Sequence, residues 1–160
     1  MGFEIGTKRG VANHYGPRGT DGQYGGQDNS VGKIKEASWT FDYNKLPLYT
    51  ASNLEMQLPA NTTVLHAHLR TLVAGAAGSS TAFNIGLTTT AGVVVDLDGL
   101  GAAAQFTNAA ITTKGTRTAG AGALIGKTIG AAACEVTVAT VGGALTAGEF
   151  ELVVAYQYNK

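Results

Sequence analysis

Charged side chains are scarce in this sequence: they make up 14% of its 160 residues, against about 25% in an average globular domain. The 11 basic and 11 acidic residues balance to a formal net charge of zero. Electrostatics therefore gives no general attraction to nucleic acid or to an anionic membrane, and we expect neither as a partner. Because a free soluble domain usually needs more charge to stay apart from its neighbours, the scarcity indicates that partners cover part of the surface.

Cysteine and long apolar runs are also nearly absent. The single cysteine, Cys134, excludes an intrachain disulfide and a cysteine-rich metal site. It lies in the strand-like run AAACEVTV, so we predict that it is a small buried residue. No apolar stretch approaches the roughly 18 residues of a membrane span, and the residues after Met1 lack the apolar segment of a secretory signal. These absences predict a protein made in a cytosol.

Small and β-favouring residues dominate what remains. Alanine, glycine and threonine occur 25, 23 and 20 times, against three prolines and one tryptophan. Threonine favours strands and glycine favours turns, whereas the lysine, arginine and glutamate of exposed helix faces are few. The composition predicts an all-β protein, and the length suits one domain.

Residues 1–33 differ from the rest, because they are rich in glycine and poor in large aliphatic side chains. Such a segment cannot bury enough apolar surface to offset its ordering entropy, so we predict a flexible N-terminal arm that orders on a partner. The arm is nearly neutral, which favours a protein partner over a phosphate backbone. Its spaced aromatic, aliphatic and basic residues are the predicted partner-binding set: Phe3, Ile5, Arg9, Tyr15, Arg18 and Tyr24.

From residue 34 onward apolar residues alternate with polar ones, as in half-buried strands. About eight short strands separated by turns predict a single β-sandwich over residues 34–160, with a jelly roll as first choice and an immunoglobulin-like sandwich as second. We predict a turn at residues 98–101, a short helix or an irregular crossing over residues 101–111, an exposed loop at 112–122 and a weak strand at 123–129. The predicted core consists of Trp39, Phe41, Phe83, Ile85, Leu87, Phe150, Leu152 and Val154.

One strand, TTVLHAHLRTLV, places Leu65, Ala67 and Leu69 on one face and both His66 and His68 on the other. Two histidines about 7 Å apart on a strand are a metal-binding pair in cupins. Because the sequence offers no nearby carboxylate or histidine at the cupin spacing, we predict no bound metal. A cupin-like metal-binding protein stays an alternative.

The other candidate calcium, nucleotide and catalytic motifs lack the residues that they require at the expected positions. Asp96 and Asp98 begin like a calcium loop, but the twelfth position is Thr107 instead of glutamate, which favours a simple turn. The glycine-rich stretches lack the strand, helix and acidic residue of a dinucleotide site, and no G-x-S-x-G motif occurs. We therefore predict no enzyme, no catalytic residue and no cofactor.

Several phrases of the sequence together resemble those of a known family: LPANTTVLHAHLRTLVA, SSTAFNIGL, DLDGL, GALIG and LTAGEFELVVAY. Over roughly residues 38–158 the chain is similar to head decoration, or cement, proteins of tailed bacteriophages. The resemblance implies a non-enzymatic homotrimer on the head surface of the virion, made in the host cytoplasm, that clamps subunits of the major capsid protein. A tail or fibre component that binds host surface glycans is the other alternative, and it requires an exposed aromatic platform.

Overall fold

The structure, a computed structural model, describes residues 13–15, 27–29, 34–46 and 57–159. The chain falls into two units, Met1–Ile34 and Lys35–Lys160. In the first unit, β1 (Asn13–Tyr15) pairs antiparallel with β2 (Gln27–Asn29). Apart from these two short strands, the arm predicted from the sequence lies outside the described residues.

The other described strands form two four-stranded sheets, which confirms the predicted all-β sandwich. Their bounds are β3 (Ile34–Asp42), β4 (Gln57–Leu58), β5 (Thr62–Ala77), β6 (Ala82–Thr89), β7 (Val94–Gly101), β8 (Arg117–Ala119), β9 (Cys134–Val141) and β10 (Leu145–Tyr158). The first sheet has the order β3-β10-β5-β8 and the second β4-β9-β6-β7. A short helix, α1 (Asn108–Thr112), packs mainly against β5. None of the described residues belongs to a helix long and apolar enough to cross a membrane.

The core lies between the two sheets, because alternate residues of each strand point inward. Seven of the eight predicted core residues are buried, and the eighth, Trp39, is half-buried at the edge of the core. Three rings form its centre: Phe83 and Phe150 meet edge to face with ring centres 5.0 Å apart, and Phe41 lies 5.6 Å from Phe150. Cys134 is buried as predicted, and burial raises the pKa of its thiol.

A β-bulge in β5 corrects one prediction. Tyr156 of β10 pairs with Val64 and Ala155 pairs with His66, so Leu65 has no partner in the ladder. The extra residue shifts the alternation of inward and outward side chains along β5. Val64 is therefore fully buried and Leu65 only partly, whereas the sequence pattern placed Leu65 inward and Val64 outward.

Three segments differ from the predicted secondary structure. Residues 112–122, predicted to be a loop, contain β8, which pairs with His68–Arg70 of β5. Residues 123–129, predicted to be a strand, form turns with one isolated bridge from Thr128 to Thr63. Residues 98–101, predicted to be a turn, complete β7. Residues 101–111, predicted to be a short helix or an irregular crossing, contain the start of α1.

Candidate functional site

Polar and charged side chains gather on the outer face of the β3-β10-β5-β8 sheet. The alternation predicted for His66, His68 and Arg70 places all three away from the core, where Glu151 of β10 lies directly opposite Arg70. Short β8 adds a second arginine, opposite Arg70 on its other side. We call the group the outer-face cluster; its members are Ser38, His66, His68, Arg70, Arg117 and Glu151.

One end of the outer-face cluster is held by a carboxylate. Ser38 Oγ donates a hydrogen bond to Glu151 Oε1 (2.9 Å), and Arg70 Nη1 lies 3.7 Å from Glu151 Oε2. The partner of the serine hydroxyl is thus a carboxylate paired with an arginine, and not an imidazole placed to take its proton. This arrangement lacks the first element of nucleophilic catalysis.

The other end is basic. Arg117 Nη2 lies 3.3 Å from His68 Nδ1, and because a guanidinium can only donate, Nδ1 accepts and the ring proton of neutral His68 resides on Nε2. Burial lowers the pKa of His68, the charges of Arg117 and His66 lower it further, and the carboxylates of Glu36 and Glu151 oppose them. His68 is therefore neutral at pH 7.

The same geometry is poorly suited to a metal. The rings of His66 and His68 are 6.0 Å apart between centres and nearly perpendicular. The Arg117 guanidinium occupies Nδ1 of His68 and places a positive charge where a cation would have to approach. Among the described residues, no group of three or more histidine, cysteine, aspartate or glutamate side chains could hold a metal ion. The cupin-like alternative finds no support in these contacts.

A second surface feature is an apolar row at the β6–β7 hairpin. The hairpin turn is closed by Thr89, whose backbone N–H donates to Val93 O (2.7 Å), and Gly92 supplies the positive φ of 79° that the turn requires. Beyond the turn, four aliphatic side chains remain exposed by 37–62%: Val93, Val94, Val95 and Leu97. Val94 pairs with Thr88 and Asp96 with Leu87 of β6, so Val95 is an extra, bulged residue that breaks the alternation along β7. We call this row the apolar edge.

β7 is an edge strand of its sheet, and other described residues cover only the second half of this strand. Leu124 N donates to Gly99 O (2.8 Å), which places residues 120–124 beside that half. Within the part of the chain that the structure describes, β6 is the only strand that pairs with residues 94–97. The first half of β7 therefore has one row of backbone N–H and C=O groups without a strand partner among the described residues, and the bulge at Val95 is a device by which natural sheets interrupt such an edge.

Two acidic residues share this strand. The backbone N–H of Asp98 donates to Asp96 Oδ1 (3.2 Å). Hydrogen bonding between the two side chains raises the pKa of Asp98, and burial and the charge of Asp96 add to the rise. Among the described lysines and arginines, none forms an ion pair with either aspartate. The apolar edge thus ends in negative charge that no described cation balances.

The glycan-binding alternative requires an aromatic platform, and the exposed tyrosines among the described residues do not form one. Tyr43 N donates to Gly148 O near the start of β10, whereas Tyr158 is the last residue of that strand. Ten residues of strand separate these positions by roughly 30 Å. The two most exposed aromatic residues of the described part therefore lie at opposite ends of the sandwich.

Of the predicted partner-binding residues of the arm, the structure describes one, Tyr15. Tyr15 is the last residue of β1, with its backbone opposite Gln27. The others, Phe3, Ile5, Arg9, Arg18 and Tyr24, lie outside the described residues. The apolar edge was not predicted from the sequence. The available signal was three consecutive valines, which leave a strand without a polar face.

No protein-family model and no curated protein sequence match this chain. Two solved structures are similar to it. A chain of the acidic stable capsid structure of Helicobacter pylori bacteriophage KHP30 aligns with a TM-score of 0.49 and 17% identity, over 80% of this chain and 90% of its own length. A chain of the cyanophage Pam1 capsid asymmetric unit aligns with a TM-score of 0.46 and 15% identity, over 82% and 90%. These values are too low to support an inference about function.

Proposed function

We propose that this chain is a structural protein of a tailed-phage virion that binds the outside of the head and cements neighbouring capsid subunits. The major capsid protein and further copies of the chain are its partners. It is made in the host cytoplasm and acts without a cofactor or catalytic residues. The resemblance of the strand-and-turn phrases over residues 38–158 supports the family, and the surface of the sandwich supports a role in assembly.

The apolar edge is the observation that carries the proposal. Monomeric soluble proteins rarely leave several neighbouring aliphatic side chains exposed beside unpaired strand groups, because the combination promotes association. Here such a row occurs in a chain with only 14% charged residues, so little charge opposes contact with another protein. A surface of this kind suits a protein that functions inside a larger assembly.

The strand order supports a jelly roll as the form of the sandwich. Of the connections between consecutive described strands β3 to β10, only β6–β7 joins neighbours in one sheet. Each of the other six consecutive pairs is split between the two sheets, as expected for eight strands wound in two Greek keys. In an immunoglobulin-like sandwich the two sheets contain more than one such hairpin. Jelly rolls are common in viral capsid domains.

The arm and an oligomeric state complete the proposed attachment. Tyr15, Arg18 and Tyr24 would contact the capsid surface and supply aromatic and basic anchors. A homotrimer, which rests on the family resemblance, would present three arms at once. Several arms on one particle hold it more tightly than the affinity of a single arm allows.

Heads that lack the protein provide the test. Adding back the full chain should restore resistance to heat-induced loss of DNA, and a chain lacking residues 1–33 should attach less well while its sandwich remains folded. Val73→Ser, at an exposed position of the first sheet, is the matched control and should attach normally. Light scattering should give the mass of an oligomer. Equal attachment by the truncated chain, or a monomer that adds nothing to head stability, would contradict the proposal.

A further inference from the structure

The four strands of the second sheet all have a terminus at the same end of that sheet. β4 ends at Leu58 and β6 ends at Thr89, and both residues pair with Cys134, the first residue of β9. Val94, the first residue of β7, pairs with Thr88 of β6. The connections that leave these termini therefore lie side by side at one end of the sheet.

Backbone hydrogen bonds join these connections into one surface. Asn61 N donates to Gly130 O (3.0 Å), and Thr90 N donates to Ala133 O (3.1 Å). Every residue of this surface is exposed or half-buried. We call it the sheet-end patch; its members are residues 59–61, 90–95 and 130–133.

The sheet-end patch contains no charged side chain, because its three segments read PAN, TAGVVV and GAAA. The charged residues that flank it along the chain lie outside it. Glu135 is buried, and the carboxylate of Asp96 accepts the N–H of Asp98 (3.2 Å), which lies further from the patch. Lys127 lies beside the first sheet, where its carbonyl oxygen accepts from Val64 N (3.1 Å). Burial of apolar surface is therefore the main force that the patch offers a partner.

An uncharged surface has a particular advantage where copies of one chain meet. Around a rotation axis, each residue near the axis meets the same residue of another copy. A charged side chain there would face a charge of its own sign and be repelled, whereas an apolar side chain would not. Interfaces between different proteins have no such restriction, and their rims are commonly polar. The absence of charge therefore favours a second copy of this chain as the occupant.

We propose that copies of this chain associate through the sheet-end patch around a rotation axis, with Val93 next to that axis. Val93 is the most exposed valine of the patch, at 62%, so it is the one most available to a partner. The proposed function, on which this inference rests, has further copies of the chain as partners, and the patch is the surface through which they meet. Each partner of a standard interface contributes about 20 to 30 residues, so this smaller patch should give an association that depends on concentration.

Light scattering on the full-length chain over a range of concentrations tests the contact. Val93→Asp and Val93→Lys should each raise the concentration needed for association several-fold, because like charges then meet at the axis. An equimolar mixture of the two variants should associate at a lower concentration than either variant alone, because opposite charges then meet. Val73→Asp, at a 49% exposed position of the first sheet, is the matched control and should associate like the unsubstituted chain. Circular dichroism should show that every variant keeps the fold, since both valines are exposed.

Each other result would overturn a stated part of the inference. Association of both Val93 variants at the concentration of the unsubstituted chain would remove the patch from the contact between copies. Loss of association that the mixture does not recover would mean that Val93 meets a different residue, which contradicts the axis. A chain that is monomeric at every concentration yet stabilises heads would overturn the contact and leave the proposed function intact. An oligomer that dissociates on Val93→Asp but adds nothing to head stability would support the patch and contradict the proposed function.

Discussion

Removing the ring of Phe150 should have the largest effect of any single truncation in the core. The side chain is fully buried and contacts both neighbouring rings, with ring centres 5.6 Å from Phe41 and 5.0 Å from Phe83. Phe150→Ala leaves a cavity and removes two aromatic pairs, and truncations of this kind cost about 3 to 5 kcal/mol. At about 3 °C per kcal/mol for a chain of this length, a loss of about 4 kcal/mol lowers the melting temperature by roughly 12 °C.

Urea unfolding followed by tryptophan fluorescence measures the change, because Trp39 lies at the edge of the same core. The slope of the free energy of unfolding against urea should stay unchanged if the variant keeps the fold. Tyr158→Ala, an aromatic truncation at an exposed position of the same strand, is the control and should cost less than about 1 kcal/mol. A loss for Phe150→Ala as small as the control's would mean that β10 turns its other face to the core.

Three further predictions concern the two surfaces. The pKa of His68 is lowered in the folded protein from the ordinary value of 6.5, so the unfolded chain binds this proton first as the pH falls. Neutral His68 therefore makes its full contribution to the free energy of unfolding above about pH 6.5. That contribution declines as the pH falls from there to the folded-state pKa. His68→Gln should remove that decline in urea unfolding measured across pH. Gly86→Ala should cost about 1 to 3 kcal/mol and speed amide exchange in β7, because a β-carbon there would collide with the carbonyl oxygen of Asp96. Arg70→Ala should change the free energy of unfolding by at most about 1 kcal/mol, since the arginine of the Arg70–Glu151 pair is 55% exposed.

The parts of the fold that the sequence predicted are those with unbroken alternation. Phe83, Ile85 and Leu87 follow one another at every second position of β6 and are all buried, and the inward face of β10 behaves in the same way. In β5 the alternation changes phase at the bulge. That bulge is set by the pairing with β10, about 90 residues further along the chain, and residues near Leu65 contain no local signal of it.

The short elements were not predicted, because contacts with residues far away in the sequence hold them in place. β8 has three residues, and its position depends on bonds outside it: Thr71 N donates to Thr116 O, and Gly120 N donates to Ala67 O. The apolar residues near Leu124 cover the core from turns instead of a strand. In the outer-face cluster, the outward direction of His68 followed from its strand. Its contact with Arg117 could not be predicted, because it joins residues 49 positions apart.

The position of β10 has a consequence for biosynthesis. β10 lies between β3 and β5, although it follows both of them along the chain, and it contributes Phe150, Leu152 and Val154 to the core. While the ribosome is still making residues 145–158, β3 has no neighbour in its sheet and one side of β5 is open. The nascent sandwich therefore cannot close strand by strand as it emerges. Its folding must wait for β10. Until then β3 and β5 are exposed to nascent chains on neighbouring ribosomes and are accessible to chaperones.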